Sequence, residues 1–161
     1  MKFTAINELL FTIYLHAMSE KFANGFKDLV LWKKSKELSI QVYRTFSKCK
    51  DYSFRDQIQR ASISVMNNVA EGFDRYNDKE MNYFLRISKG SLGEVESMTE
   101  LSLELKFISI DEHKLLLSTI REIRNLTISY LNNIRERNTS NQEKKMSNSL
   151  NAISTNNLLS N

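Results

Sequence analysis

Cationic side chains recur at helical spacing in two separate segments of the chain, and the chemistry they share is the binding of phosphate groups. In the first segment they fall within an arc of about 120° on a helix; they are Lys33, Lys36, Arg44 and Lys48. In the second they share a helix face with Lys114, Asn125 and Asn132; they are Arg121, Arg124 and Arg135. An ordinary solvated helix face would show the same pattern. No aromatic RNA-recognition motif, KH loop or zinc finger accompanies them, so the predicted contact is with the nucleic-acid backbone and is sensitive to salt.

A row of polar residues is the second feature, and its chemistry depends on the burial of one carboxylate. Helical geometry places Glu94 near apolar residues of the third helix, so we expect it to be partly buried and to need a partner. Polar residues of the second helix could supply that partner, within the chain or across an interface. We therefore assign a structural or interface role to Arg60, Ser64, Asn67, Asn68, Glu71 and Glu94. Catalysis by Glu71 and Glu94 is the less favoured alternative, because no histidine or serine constellation accompanies them, and we predict no catalytic residue.

Three glutamates, Glu96, Glu100 and Glu104, form an i, i+4, i+8 stripe that we place on the outer side of the third helix. A di-iron bundle needs inward Glu-x-x-His pairs on two helices, and the sequence has none. One cysteine and two histidines cannot form a tetrahedral zinc site within one chain. We predict no metal and no cofactor, and we interpret the stripe as a solvated face or as the acidic half of an interface with another subunit.

The elements that position these residues are predicted to be helices throughout. The chain has 161 residues, no proline and four glycines, so helix breakers and strand punctuation are scarce. We predict an all-α fold, an up-down-up-down antiparallel four-helix bundle, because short connections place sequential helices side by side. The predicted helices run over about 28–48, from a cap at Ser53, over about 78–106 and over about 110–135, and Asn77 and Ser109 cap the last two.

Helical periodicity also predicts which side chains are inside. On the first helix the apolar side consists of Leu31, Ser35, Leu38, Val42 and Phe46. On the third, the inward set is Phe84, Leu85, Ile87, Leu92, Val95, Met98 and Leu105. Trp32, Tyr43 and Phe46 border the stripe of the first helix, which favours the core over the alternative of a base-stacking platform. Glycine is unfavourable inside a helix, so Gly90 and Gly93 indicate the close approach of a neighbouring backbone.

Both ends of the chain differ in composition from the bundle, which we place at residues 26–137. Residues 1–25 form an extension outside the core; its apolar run at 9–15 faintly resembles a signal peptide, but Asn7 and Glu8 favour a dispensable segment or a start at Met18. The run is far too short to span a membrane, and we expect a cytoplasmic protein. Residues 138–161, rich in Asn and Ser, are predicted to be a disordered tail, and both extensions are expected to be flexible.

The segment RASISVMNNVAEGF at residues 60–73, with DKE at 78–80 and GSLGE at 90–94, resembles the 23S ribosomal RNA intervening-sequence proteins. This family of small helical bundles includes the accessory protein of diversity-generating retroelements. The resemblance covers about residues 26–137 and implies a ring-like homo-oligomer of five subunits without catalytic activity. In its best understood branch it implies binding to nucleic acid and to a reverse transcriptase. The positions that match the family pattern are Arg60, Ser64, Asn68, Glu71, Gly72, Gly90, Ser91 and Glu94.

Charge is distributed unevenly, which bears on both kinds of partner. The net charge is +4, yet the third helix is acidic while the first and fourth are basic. Neighbouring subunits could pair these opposite faces in a closed ring, and copies of a modest basic patch would then add up to avidity for a polyanion. We therefore predict a non-enzymatic, oligomeric bundle associated with nucleic acid. A protein-assembly module without nucleic-acid binding is the alternative, and a carboxylate enzyme is the third.

Overall fold

The computed structural model describes residues 25–75 and 77–158, and within them every regular element is helical. This confirms the predicted all-α class. The long helices are α1 Val30–Thr45, α2 Tyr52–Asp74, α3 Asp78–Glu104 and α4 Ile110–Leu158. Short 3-10 turns, Phe26–Asp28 and Phe46–Lys48, lie before and after α1, where the sequence predicted one continuous helix. None of the described helices is both long and apolar enough to cross a membrane.

The four long helices enclose one apolar core. Each packs against the next along the chain, and α4 also packs against α1. The predicted stripe of α1 is confirmed, because all five of its residues are buried. The other fully buried large side chains come from the remaining three helices and include Ile58, Val65, Leu85, Leu92, Leu116, Ile120, Ile123 and Ile134.

Small polar side chains extend the core between the helices. The buried Ser39 hydroxyl donates to the carbonyl of Ser62 on α2 at 3.0 Å, and Ser88 on α3 donates to the carbonyl of Val65 at 2.9 Å. Each hydroxyl satisfies its hydrogen-bonding capacity without a water molecule, and its small volume lets the facing helix lie close. Gly72 also lets α2 and α3 lie close together, because a Cβ there would lie 2.9 Å from Met81 Sδ and 3.1 Å from Phe84 Cβ.

The inward row of α3 agrees with the prediction at Leu85, Leu92 and Val95 and differs from it elsewhere. Its buried residues are Leu85, Ser88, Leu92, Val95, Thr99 and Ser102, which follow one another at intervals of three and four. Ile87 and Leu105 were predicted inside, but they are 37% and 47% exposed. The prediction was wrong because three of the six inward positions are hydroxyl residues, which satisfy themselves by bonding to backbone carbonyls and need no polar surroundings.

Capping side chains determine where three of the helices begin. Asn77 accepts from the amide of Glu80 at 2.9 Å, and Ser109 and Glu112 form a reciprocal capping box, both as predicted. The predicted cap at Ser53 was wrong. The carboxylate of Asp51 accepts from the amide of Phe54 at 3.0 Å and starts α2 two residues earlier, since aspartate caps a helix as well as serine does.

The last helix continues well beyond the bundle. Ile134 is the last buried residue among the described side chains, and Arg137 reaches Asp78 at 3.0 Å, while every side chain at 135–144 is exposed. The backbone nevertheless remains helical to Leu158, where composition predicted a disordered tail from residue 138. No glycine or proline follows Gly93, so nothing in this sequence interrupts the helix. The predicted extension at residues 1–25 lies outside the described residues except for Gly25.

Candidate functional site

The outer face of α1 carries the first cation set, and all four of its members are exposed as predicted. Lys33, Arg44 and Lys48 have no acidic partner among the described residues. The ammonium of Lys36 lies 4.9 Å from the centre of the Trp32 ring, which attracts the cation without cancelling its charge. We call this surface, with Lys33, Lys36, Arg44 and Lys48, the α1 face. Its positive charge is available to a ligand.

The seam between α1 and α4 is electrostatically different. Lys34 forms ion pairs with Glu37 at 3.2 Å and with Glu122 on α4 at 2.8 Å. The hydrogen bond to Glu122 is the main cause of the raised pKa of Lys34, and Glu37 adds to it against the opposing effect of burial. Two carboxylates thus neutralise one ammonium. The seam separates the α1 face from the cations of α4, so the two predicted basic sets do not merge.

The cations of α4 divide into free and paired residues. Arg121 and Arg135 are exposed and have no acidic partner among the described residues. Arg124, predicted to bind nucleic acid with them, instead bonds to Glu96 on α3. Its charge is already neutralised, so the prediction of a common binding role for all three is weakened at Arg124.

The predicted outer carboxylate stripe of α3 lies against α4. Besides the Glu96 pair with Arg124, the Glu100 carboxylate lies 2.9 Å from His113 Nε2 and accepts its hydrogen bond in the tautomer that carries the proton on that nitrogen; Glu104 is exposed. Glu100 and Glu104 are exposed, in agreement with the predicted outer position, whereas Glu96 is half-buried. The fourth helix supplies partners for Glu96 and Glu100, which the prediction of a solvated face did not include. Among the described residues no group of three His, Cys, Asp or Glu side chains could hold a metal ion.

The polar row forms a network between α2 and α3, but through a residue that the sequence analysis missed. Gln57 donates its amide to the carboxylate of Glu94 and accepts from Arg60 at 2.8 Å. A second cluster joins the hydroxyls of Ser64 and Ser91 at 2.8 Å, and Asn68 donates to the Ser64 carbonyl at 2.8 Å. Gln57 lies seven residues before Ser64, on the same face of α2, and this spacing could have revealed it.

Two expectations for the row were wrong. Glu94 is exposed, not buried, and Gln57 rather than Arg60 contacts it directly. The error follows from the prediction that Ile87 and Leu105 are inside. Glu94 lies on the same side of α3 as these two residues, and all three are exposed. Glu71 is also exposed and accepts from Arg75 one turn later at 2.9 Å, and Asn67 is exposed beside it. The row is thus a surface network.

A cleft of about 350 Å³ lies at the end of the bundle where α1 begins. Leu29, Phe73 and Met81 are among its apolar lining residues, and the Asp78–Arg137 ion pair lies at its edge. Neither Glu71 nor Glu94 lines it. The two carboxylates considered for catalysis therefore do not share this cleft.

The outer side of α3 exposes apolar side chains and open glycines. Tyr83, Ile87, Leu101 and Leu105 are all exposed, and we call them the α3 face. Between them, a Cβ placed on Gly90 or Gly93 would meet nothing within 4 Å. The close approach predicted for these glycines therefore does not occur among the residues that the structure describes.

The aromatic residues of α1 have three different environments. Phe46 is buried as predicted, and Trp32 is half-buried with its ring 5.1 Å from that of Phe26 in an edge-on contact. Tyr43 was predicted to border the core, but it is exposed. The α-helix turns into a 3-10 turn only after Thr45, so Tyr43 keeps its regular helical position, on the solvent side of the buried stripe.

Comparisons with known proteins agree with the fold. The family model described as 23S rRNA-intervening sequence protein matches residues 27–129, which include the α1 face, the polar row and the α3 face. No curated protein matches the chain. One similar solved structure is a protein of unknown function from the S23 ribosomal protein family of Bacteroides thetaiotaomicron VPI-5482. It is 21% identical, with a TM-score of 0.61, over 64% of this chain and 96% of that chain, a likeness that shows the fold alone.

Proposed function

Because the chain belongs to the 23S rRNA-intervening sequence protein family, we propose that it is a non-enzymatic, oligomeric bundle that binds the backbone of nucleic acid through the α1 face. The observation that carries the proposal is the contrast in pairing: the cations of the α1 face lack acidic partners in the described structure, whereas Lys34 and Arg124 have them. A free cation can release the counterions of a phosphate, and a paired one must first lose its carboxylate.

The length of the α1 face fits this role. Residues 33–48 extend about 22 Å along the helix axis. Over that length one strand of a duplex places about six phosphates. Contacts of lysine and arginine with phosphates carry no sequence information, so this part of the affinity comes from summed charge. Arg121 and Arg135 of α4 lie beyond the seam and add contacts only to a longer ligand.

We propose that self-association multiplies this modest charge. The α3 face supports it, because exposed apolar side chains on one helix are unfavourable in water and Gly90 leaves room for a neighbouring backbone. A ring, of five subunits as the resemblance implies, requires contacts between two different faces of each copy. The earlier idea that the acidic third helix pairs with a basic neighbour loses force, since Glu96 and Glu100 bond within the chain.

The proposal has three finer parts. The up-down-up-down arrangement is inferred from contacts such as Gln57 with Glu94 and Ser64 with Ser91, in which rising numbers on α2 meet falling numbers on α3. A reverse transcriptase as protein partner, in the manner of diversity-generating retroelements, rests on the motif resemblance at residues 60–94. A cytoplasmic location rests on residues 1–24, where Asn7 and Glu8 weaken the resemblance to a signal peptide.

Binding titrations at several salt concentrations test the nucleic-acid proposal. We expect the triple variant Lys33→Glu, Lys36→Glu, Arg44→Glu to bind a mixed RNA about 10-fold or more weakly, and its slope of log affinity against log salt to be smaller by about two to three. The control Lys79→Glu, Arg86→Glu, Lys89→Glu makes the same change in net charge on α3. Equal losses in both variants would contradict a specific α1 face.

A protein-assembly module without nucleic-acid binding remains the second candidate, favoured by the α3 face. It gains support if the wild-type chain forms an oligomer by light scattering but binds no RNA or DNA even at low salt. The carboxylate enzyme is the third candidate and has the least support, because Glu71 and Glu94 are exposed and neither lines the cleft beside the Asp78–Arg137 pair.

A further inference from the structure

One aromatic ring stands among the free cations of α1. Tyr43 is 45% exposed and lies seven residues after Lys36, hence on the same side of the helix, with Arg44 next to it. Ile40 is 43% exposed and lies one turn before Arg44. The α1 face is therefore not only basic. It presents an aromatic ring and an aliphatic side chain to the solvent at its centre.

The other described tyrosines have other roles. The ring of Tyr52 lies 4.8 Å below the guanidinium of Arg55, the ring of Tyr83 packs 5.2 Å from Phe84, and Tyr130 is buried. No ring or cation contact of this kind involves Tyr43 in the described part of the chain. Trp32, the other aromatic residue near the α1 cations, already contacts Phe26 and Lys36.

An unengaged ring beside phosphate-binding cations has a specific chemical use. Bases in a single strand expose their flat faces, and stacking on a tyrosine favours binding whatever the base is. In a duplex the same faces are covered by neighbouring base pairs, so the ring has nothing to stack on. The combination therefore favours single-stranded over double-stranded ligands.

We propose that the α1 face binds single-stranded nucleic acid, with Tyr43 stacking on an unpaired base while Lys33, Arg44 and Lys48 contact the flanking phosphates. Ile40 covers the edge of the stacked base. This inference rests on the proposed nucleic-acid binding and names the class of ligand that the α1 face prefers.

Fluorescence anisotropy with two labelled probes of equal length, a 12-nucleotide single-stranded RNA and a blunt duplex, tests it in the full chain. We expect the wild-type protein to prefer the single strand. Tyr43→Ala should weaken single-strand binding by about 5- to 100-fold, change duplex binding less than twofold, and leave the thermal midpoint unchanged because the side chain is exposed. Tyr43→Trp should restore single-strand binding, since it keeps a stacking ring. The control Tyr52→Ala removes a tyrosine that is 65% exposed elsewhere on the surface and should change neither.

The outcomes separate this inference from the proposal on which it rests. If Tyr43→Ala binds the single strand as well as wild type, or loses both probes equally, the stacking role is overturned. Nucleic-acid binding itself still stands in that case, provided that the α1 triple charge reversal weakens both probes. If the wild-type protein binds neither probe at low salt, both are overturned.

Discussion

The α1 face and the α3 face lie on helices that do not neighbour each other along the core, since both α1 and α3 pack between α2 and α4. Each exposes large apolar side chains, yet their surroundings differ. Around Ile40 and Tyr43 the cations Lys33, Lys36 and Arg44 have no acidic partner within the described residues, and the nearby Glu37 bonds to Lys34 and Gln41. Around Ile87 and Leu101 there are open glycines and Glu94, which accepts from Gln57 on α2, while Glu96 and Glu100 bond to α4. The comparison teaches that pairing within the chain, rather than composition, decides what an outer helix face can bind.

The fourth helix causes much of this difference. Toward α3 it offers Arg124, His113 and Arg137, which bond to Glu96, Glu100 and Asp78. Toward α1 it offers Glu122, which bonds to Lys34. Three of the six acidic side chains of α3 thus bond to α4, whereas the cations of the α1 face have no acidic partner among the described residues. The α3 face suits a protein surface, and the α1 face suits a polyanion.

The largest expected effect is the loss of assembly when the α3 face becomes charged. Ile87→Lys with Leu101→Lys would place two ammonium groups in a contact that excludes water, so we expect the oligomer to dissociate to monomers. Light scattering coupled to size-exclusion chromatography measures the mass. Ile40→Lys, a comparably exposed isoleucine on α1, is the matched control and should leave the mass unchanged. An unchanged mass in the double variant would show that the α3 face is not the contact.

Substitutions of two glycines test the comparison, and each should change the free energy of unfolding by about 1 to 2 kcal/mol. Gly72→Ala should destabilise the bundle by about that amount, because Phe84 Cβ at 3.1 Å cannot move without its helix, although Met81 Sδ can rotate away. Gly90→Ala should stabilise the isolated bundle by up to about 1 kcal/mol, since its surroundings are open and alanine favours a helix. Urea unfolding gives both values. If Gly90→Ala also weakens assembly, a neighbouring backbone lies on this glycine in the oligomer; equal effects of the two substitutions would contradict the distinction.

Sequence periodicity predicted the α1 side of the molecule better than the α3 side. The inward row of α1 is mostly apolar, so its phase follows directly from hydrophobicity, and the exposed cations follow from that phase. On α3 the hydroxyl residues Ser88, Thr99 and Ser102 are inside and Leu101 and Leu105 are outside, so hydrophobicity identifies only the apolar half of the inward row and misplaces Ile87 and Leu105. The misplacement of Glu94 followed from the same error.

The pairing of charges could not have been predicted from one helix at a time. The bond between Glu96 and Arg124 depends on how α3 and α4 are aligned along each other, and a shift of one turn would give each a different neighbour. The cap at Asp51 is a smaller case, because Asp51 and Ser53 both suit an N-cap, and in the structure the Phe54 amide bonds to Asp51. Local sequence signals therefore predict the helices, whereas the site depends on how the helices are aligned along one another.

The capping box that starts α4 offers a smaller and pH-dependent test. The backbone amide and then the hydroxyl of Ser109 bond to the Glu112 carboxylate and lower its pKa below its ordinary value of 4.5. Since the pKa is lower in the folded state, its contribution to stability is fully present above pH 4.5 and is lost as the pH falls through the folded value. Ser109→Ala should cost about 1 kcal/mol at pH 7.

Urea midpoints of Glu112→Gln relative to wild type, measured at pH 7 and pH 3, isolate the carboxylate. The difference between the two proteins should shrink as the pH falls, because both then carry a neutral group at position 112. RNA binding by the α1 face provides the contrast, since Lys33, Arg44 and Lys48 have no carboxylate partner in the described structure to protonate. A constant difference in midpoint across this range would contradict the capping-box assignment.

The smallest expected effect separates free from paired cations on α4 itself. Arg121→Ala should weaken binding to a long single-stranded RNA by about two- to fivefold at low salt and reduce the salt slope by about one, because one free phosphate contact is lost. Arg124→Ala removes the same charge from the same helix, but this charge is already bonded to Glu96, so binding should change less than twofold. Its loss should cost less than about 1 kcal/mol of stability, since the pair is partly exposed.

Glu96→Gln supplies the decisive control: it frees Arg124 and should tighten binding slightly, and the gain should vanish in the double variant with Arg124→Ala. If Arg121→Ala and Arg124→Ala weaken binding equally, pairing within the chain does not govern which cations bind, and the contrast between the α1 and α3 faces loses its electrostatic basis.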